Sequence, residues 1–184
     1  MILDAEFWQR FERGAITKEA LYVERFRVFF AEYGLKADPA AFTAASFREL
    51  GAQRNFMPHC EQALRQLHAQ YKIFIVTNGN TDIQKRRIAA SGMAQYFDYV
   101  FISEQLGTKK PEKDFYDKVF QVIGPARRDH AIMVGDSLTS DIQGGINAGL
   151  RTVWVNPAHK PADKIHPDYE IEGLSQLETL LEEL

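Results

Sequence analysis

From Pro58 onward the chain repeats one pattern, a short β-branched or aromatic run, a polar turn, and then a helical stretch. The runs are Lys72 to Val76, Tyr99 to Ile102, Ala131 to Val134 and the segment around Val153, and the helical stretches between them centre on Ile83, Phe115 and Ile142. Strands linked through helices do not form tight hairpins; such crossovers return the next strand in the same direction. The spacing therefore predicts βαβ units, meaning an α/β fold with a Rossmann-like parallel sheet and flanking helices. An amphipathic helix over His59 to Gln70 precedes the first run. A short strand at Tyr169 to Ile171 and a last helix opened by the capping box Ser175-Gln176-Leu177-Glu178 follow the final run, with Asn156 to Pro167 as a loop.

Before Asn55 to Pro58 the pattern is helical throughout. Thr17 caps a helix on which Tyr22, Phe26, Phe29, Phe30 and Tyr33 recur at helical spacing and Gly34 marks the end; Asp38-Pro39 starts another that runs toward Leu50. The aromatic stripe reads as packing inside this unit. Two domains follow: a helical unit over residues 1–56 and an α/β core over residues 57–184.

The residues that could carry chemistry sit at the ends of the strands. In Val134-Gly135-Asp136-Ser137-Leu138-Thr139-Ser140-Asp141, a buried strand turns into a helix through two carboxylates. Magnesium takes one or two such carboxylates and completes its shell with water and phosphate. The same residues could instead serve only to start a helix, with Ser137 or Asp136 capping free amides and Asp141 favouring the dipole. The first run ends in Thr77-Asn78-Gly79-Asn80 before a helix over Thr81 to Ser91, and small hydrogen-bonding residues at a helix N-terminus make a phosphate cradle. After Tyr99 to Ile102 comes Lys109-Lys110-Pro111-Glu112, where proline fits a first helical turn and the lysine before it can offset phosphoryl charge. On its own, a Lys-Lys pair is equally a solvated basic patch.

Taken in order, Thr-Asn-Gly, Lys-Pro and Gly-Asp-x-x-x-x-Asp at the ends of successive strands resemble the haloacid dehalogenase-like hydrolase superfamily over nearly the whole chain. Within it, Gly135-Asp136-Ser137 and Asp141 to Leu150, followed by Trp154-Val155-Asn156, look most like the non-canonical pyrimidine 5′-nucleotidases, with the sialic acid 9-phosphate phosphatases next. The resemblance implies that the helical unit is a cap over the active site. It implies that Thr77 and the amides of Asn78 and Gly79 hold the phosphoryl group while Lys110 neutralises charge, so that Thr77 and Lys110 are catalytic. It also implies that Asp136 binds Mg2+ and that Asp141 holds a metal-bound water or orients Lys110. The implied substrate is a small phosphate monoester, a nucleotide or sugar phosphate.

Family members begin with a strand ending in Asp-x-Asp-x-Thr, whose first aspartate attacks phosphorus, and no Asp-x-Asp occurs in these 184 residues. Phe7 to Thr17 resembles the family's cap, downstream of that strand. Asp4 reads as a cap for the first helix, because three preceding residues cannot form a strand of about five or six. The expectation is a truncated, magnesium-dependent phosphatase that is inactive as it stands, its sheet lacking the central first strand. The alternative is an inactive relative that keeps a phosphate or nucleotide pocket.

Composition narrows the class further. At 45% hydrophobic, 184 residues can build a real core. One cysteine, Cys60, permits no internal disulfide, which fits a reducing, cytoplasmic setting. No apolar run reaches membrane-spanning length, and a net charge of −3 with scattered basic pairs argues against a nucleic-acid partner.

Overall fold

A computed structural model describes residues 2–162 and 164–184. Its first part is the helices α1 (Ile2–Glu12), α2 (Lys18–Glu32) and α3 (Pro39–Ala52). Local chemistry sets their starts: the Thr17 hydroxyl accepts from the Ala20 amide at 3.2 Å, and Asp38 accepts from the Ala40 amide at 2.9 Å with Pro39 in the first helical position. The aromatic stripe of α2 packs as its spacing predicts, with ring centroids at 4.7 Å for Tyr22 and Phe47, 4.8 Å for Phe26 and Phe42, and 5.2 Å for Phe30 and Phe42. Phe29 and Tyr33 lie off that face and are exposed. Phe7 and Phe11 of α1 bury themselves against Leu21 of α2. Asp4 is not a cap. It lies inside the first turn of α1, where Arg25 donates to it at 2.6 Å.

The remainder alternates: α4 (Cys60–His68), β1 (Phe74–Thr77), α5 (Thr81–Ser91), β2 (Tyr99–Ile102), α6 (Ser103–Leu106), α7 (Lys113–Ile123), β3 (Ile132–Gly135), α8 (Gln143–Ala148), β4 (Arg151–Val155), β5 (Tyr169–Ile171) and α9 (Leu177–Glu182). Every strand pairing is parallel, β1 with β2 and β3 with β4 with β5. On one face, α7 and α8 cover Phe101 and Met133 with Phe115, Tyr116, Val119, Phe120 and Ala148; on the other, Leu67 of α4 and Leu177 of α9 cover Val153, Val155 and Ile171. Gly145 lets α8 lie directly on the sheet, since a methyl group there would meet Thr152 Cγ2 at 2.7 Å and Met133 Cβ at 2.9 Å. Burying a large apolar side chain contributes about 1.5–3 kcal/mol, so these two clusters hold the layers together.

The strands form two sheets, β1-β2 and β3-β4-β5, and among the described residues no ladder joins β1 to β3. Both strands nevertheless belong to one layer. Phe74 and Val76 pack with Met133 on one face, while Ile73 packs in the cluster of Ile132 and Val134 on the other. Strand β4, partnered on both edges, buries Thr152 to Val155, whereas β1 is only half-buried along its length. The expected α/β fold, parallel strands flanked by helices, is the one observed.

Two local expectations change. The capping box at Ser175 does not form: the chain passes through a 3₁₀ turn at Leu174–Gln176, α9 starts at Leu177, and the Gln176 side chain accepts from the Glu172 amide at 2.7 Å. Pro111 lies outside the helix it was expected to open, because Glu112 occupies the position before α7, its carboxylate turned to Thr108 and Lys109, and Lys113 begins the helix.

Candidate active site

The carboxyl ends of β1 and β3 and the loop before α7 converge on Lys110. Its ammonium is buried, donating to Asp141 Oδ1 at 2.6 Å and to the Val76 carbonyl at 2.8 Å, so one side chain bridges the ends of the two sheets. Asn78, also buried, fixes the Lys110 backbone from both sides, its Nδ2 donating to the carbonyl and its Oδ1 accepting from the amide, each at 2.9 Å. The resemblance gave Asn78 a phosphate-facing amide, and its side chain has this second task, which spacing could not reveal.

Thr77 ends β1. Its Oγ1 accepts from the Gly79 amide at 3.0 Å and from Gln84 Nε2 at 2.8 Å. A hydroxyl has two acceptor lone pairs and one proton. With both lone pairs engaged, Thr77 is set to donate that proton outward. Asn80 closes the turn as the cap of α5, accepting from the Asp82 and Ile83 amides.

On the other side, β3 ends at Gly135, where a methyl group would collide with the Asp141 side chain. Glycine is required there by close approach. The helix expected to open at Asp136 begins later and differently: Ser137 accepts from the Ser140 amide at 3.2 Å, and Leu138–Ile142 form a π-helical turn before α8. A π turn adds a residue to the helical repeat and is common at functional sites. It carries Asp141 inward, where Oδ2 accepts from the Ser137 amide at 3.1 Å while Oδ1 meets Lys110. The exposed Asp136 carboxylate has no hydrogen-bond or ion-pair partner among the described residues, and its backbone carbonyl is held by Trp154 Nε1 at 3.0 Å.

Among the described residues no cluster of three or more histidine, cysteine or acidic side chains forms a ready metal cage. What the site offers is one carboxylate with free lone pairs, Asp136, and a second, Asp141, with both oxygens in use. That donor set fits an ion that keeps much of its shell as water and phosphate, which is how magnesium is commonly held.

Sequence spacing did not disclose the residues that α1 and α2 bring here. Glu12 accepts from the Thr139 hydroxyl at 2.6 Å. Burial pushes its carboxyl above the ordinary value, with Asp141 adding to the rise and hydrogen bonds from Thr139 and Ser140 opposing it. Lys18 reaches the Gly79 carbonyl at 3.0 Å and Glu104 at 3.0 Å. Beside these contacts lies a cleft of about 210 Å³ lined by Phe11, Lys18, Ser103, Glu104, Thr108 and Lys109. It adjoins the Lys110 site without including it.

The haloacid dehalogenase-like hydrolase model matches residues 2–149. The chain belongs to that family. This haloacid dehalogenase-like hydrolase is 38% identical over 178 residues to the pyrimidine 5′-nucleotidase PynA of Streptococcus pneumoniae, covering 95% of this chain and 75% of that protein. To the pyrimidine 5′-nucleotidase YjjG of Escherichia coli it is 34% identical over 175 residues, 95% of this chain and 77% of the relative. Its fold matches the crystal structure of the HAD-hydrolase YfnB from Bacillus subtilis bound to magnesium, with a TM-score of 0.91 at 35% identity over 98% of this chain and 79% of that one. No helix among its described residues is long and apolar enough to cross a membrane.

Proposed function

We propose that this hydrolase carries the phosphate- and magnesium-binding residues of a phosphomonoesterase that acts on nucleoside 5′-monophosphates, with pyrimidine nucleotides preferred. The observation that carries the reading is the buried Lys110–Asp141 pair, tied to the end of β1 next to Thr77 through the Val76 carbonyl and to the turn next to Asp136 through the Ser137 amide. Thr77 and the amides of Asn78 and Gly79 would bind the phosphoryl oxygens, and Lys110 would offset the charge that grows on them in the transition state. Asp141 orients Lys110. Asp136 would hold Mg2+, which polarises a phosphoryl oxygen when bound. The pyrimidine nucleotidase relatives and the magnesium-bound structural relative support the substrate class and the ion.

The chemistry proposed is attack by the first aspartate of an Asp-x-Asp on phosphorus with expulsion of the nucleoside 5′-oxygen, which takes its proton from the second carboxylic acid. Water then attacks the aspartyl-phosphate, gives a proton back to that carboxylate, releases inorganic phosphate and restores the first aspartate. The sequence holds no Asp-x-Asp, and the unpaired edges of β1 and β3 are where a strand bearing the attacking aspartate would fit. Residues 1–56 would then form the cap and 57–184 the core.

The test has two stages. The 184-residue chain with magnesium should hydrolyse p-nitrophenyl phosphate no faster than buffer; turnover abolished by Asp4→Asn would overturn the assignment by making Asp4 the nucleophile. With a strand ending in Asp-x-Asp-x-Thr fused ahead of residue 1, a substrate panel should give the highest kcat/KM on pyrimidine monophosphates. A best substrate among sugar phosphates, sialic acid 9-phosphate included, would refute the nucleotide reading.

A further inference from the structure

We infer that Lys18 is a positioning residue for the loop Thr77 to Asn80, through which the docking of α2 sets the shape of the phosphate cradle. The inference rests on the reading of that loop as phosphate-binding. Each of its residues is clamped by a named partner: Thr77 by Gln84, Asn78 by the Lys110 backbone, Gly79 by Lys18, and Asn80 by Glu104, which accepts from Asn80 Nδ2 at 3.4 Å. Of these partners only Lys18 comes from the helices that precede the α/β layers. It stands at the first position of α2, and its side chain is 12% exposed.

The contact bears on the backbone itself. In a trans peptide the C=O and the following N–H point in opposite directions. Holding the Gly79 carbonyl toward α2 therefore fixes the Asn80 N–H on the opposite side, and among the described residues that amide has no acceptor within the chain. The same ammonium pairs with Glu104, whose carboxylate accepts from the Thr81 amide at 2.7 Å. One cation thus fixes a peptide plane in the loop directly and the first turn of α5 through Glu104. Ser103 Oγ, at 3.4 Å, completes its surroundings.

The test compares Lys18→Met, Lys18→Arg and Glu104→Gln by amide hydrogen exchange without ligand, and by calorimetric titration with inorganic phosphate in the presence of magnesium. Lys18→Met should speed exchange at the hydrogen-bonded amides of Gly79, Thr81, Asp82 and Ile83 by about tenfold, the equivalent of about 1.4 kcal/mol, and leave residues 131–135 within twofold. Lys18→Arg should restore most of that protection, and Glu104→Gln should reproduce the loss at Thr81. Phosphate affinity should fall about tenfold in Lys18→Met and recover in Lys18→Arg. Unchanged exchange at 79–83 in Lys18→Met, with loosening confined to α2, would overturn the inference and leave Lys18 as a docking contact. If Lys18→Met does not fold, Glu104→Gln decides: protection retained at 79–83 refutes the coupling. If the parent chain binds no phosphate, the functional reading fails, and the exchange data still judge Lys18.

Discussion

Lys110 and Asp141 show how much of this site depends on pairs of charges. Both side chains are buried, and the ammonium has two oxygen partners while the carboxylate has two donors. Removing one member of such a pair leaves an uncompensated buried charge, at a cost of about 3–5 kcal/mol. Lys110→Met should therefore lower the free energy of unfolding by about that amount in urea titrations, and Asp141→Ala likewise. A loss below about 1 kcal/mol, typical of exposed pairs, would show that water reaches the ion pair. Thr77→Val keeps the side chain's shape but strands the half-buried donors of Gln84 and Gly79, each at the lower end of the roughly 1–3 kcal/mol that an unpaired buried group costs. It should weaken phosphate binding by more than it weakens folding, which calorimetry and urea unfolding on the same variant would separate.

The ties between elements make a different prediction. Glu104 sits at the start of α6 and accepts from Thr81, at the start of α5, and from Lys18, at the start of α2. Partial burial pushes its carboxyl up, but the hydrogen bonds from Thr81 and Lys18 outweigh that and hold it below the ordinary 4.5. A carboxylate whose folded pKa is depressed stabilises the fold fully above its unfolded value, and that contribution is lost as pH falls through the folded one. Glu104→Gln should thus lower stability at pH 7 and remove part of the decline expected below about pH 4.5. Urea midpoints at pH 7 and pH 3 would check it, and parallel curves for parent and variant would contradict the assignment. The π turn at Leu138–Ile142 belongs to this scale as well. Gly135→Ala would push a methyl group into Asp141, so it should disturb Asp141 and its hold on Lys110 while leaving the β3–β4 ladder in place.

Across the whole molecule the decisive feature is the seam between β1 and β3. Unpaired strand edges recruit other strands, and here two face each other within one layer. An extended apolar peptide ending in Asp-x-Asp-x-Thr should raise the thermal midpoint of the chain. A monomer that unfolds in one sharp transition indifferent to the peptide would show that side-chain packing alone has closed the seam. The alternation that announced the parallel layers was legible because strand and helix periods are local properties of a chain: Tyr99 to Ile102, Thr81 to Ser91 and Tyr169 to Ile171 fall where their patterns put them. The caps at Thr17 and Asp38 were legible for the same reason, since a capping bond spans two or three residues. The residues Thr77, Lys110, Asp136 and Asp141 stand out in the sequence, and the resemblance offered Asp141 beside Lys110 as one of two readings, but the Val76 carbonyl, the Asn78 clamp and Gln84 as partners carried no spacing signal. Only the tertiary structure brings Glu12 to Thr139, 127 positions away, and Lys18 to Gly79, 61 positions away. A lone Glu or Lys on a helix carries no periodic or spacing signal; its role is set by which faces pack, and packing depends on the whole set of buried apolar contacts at once.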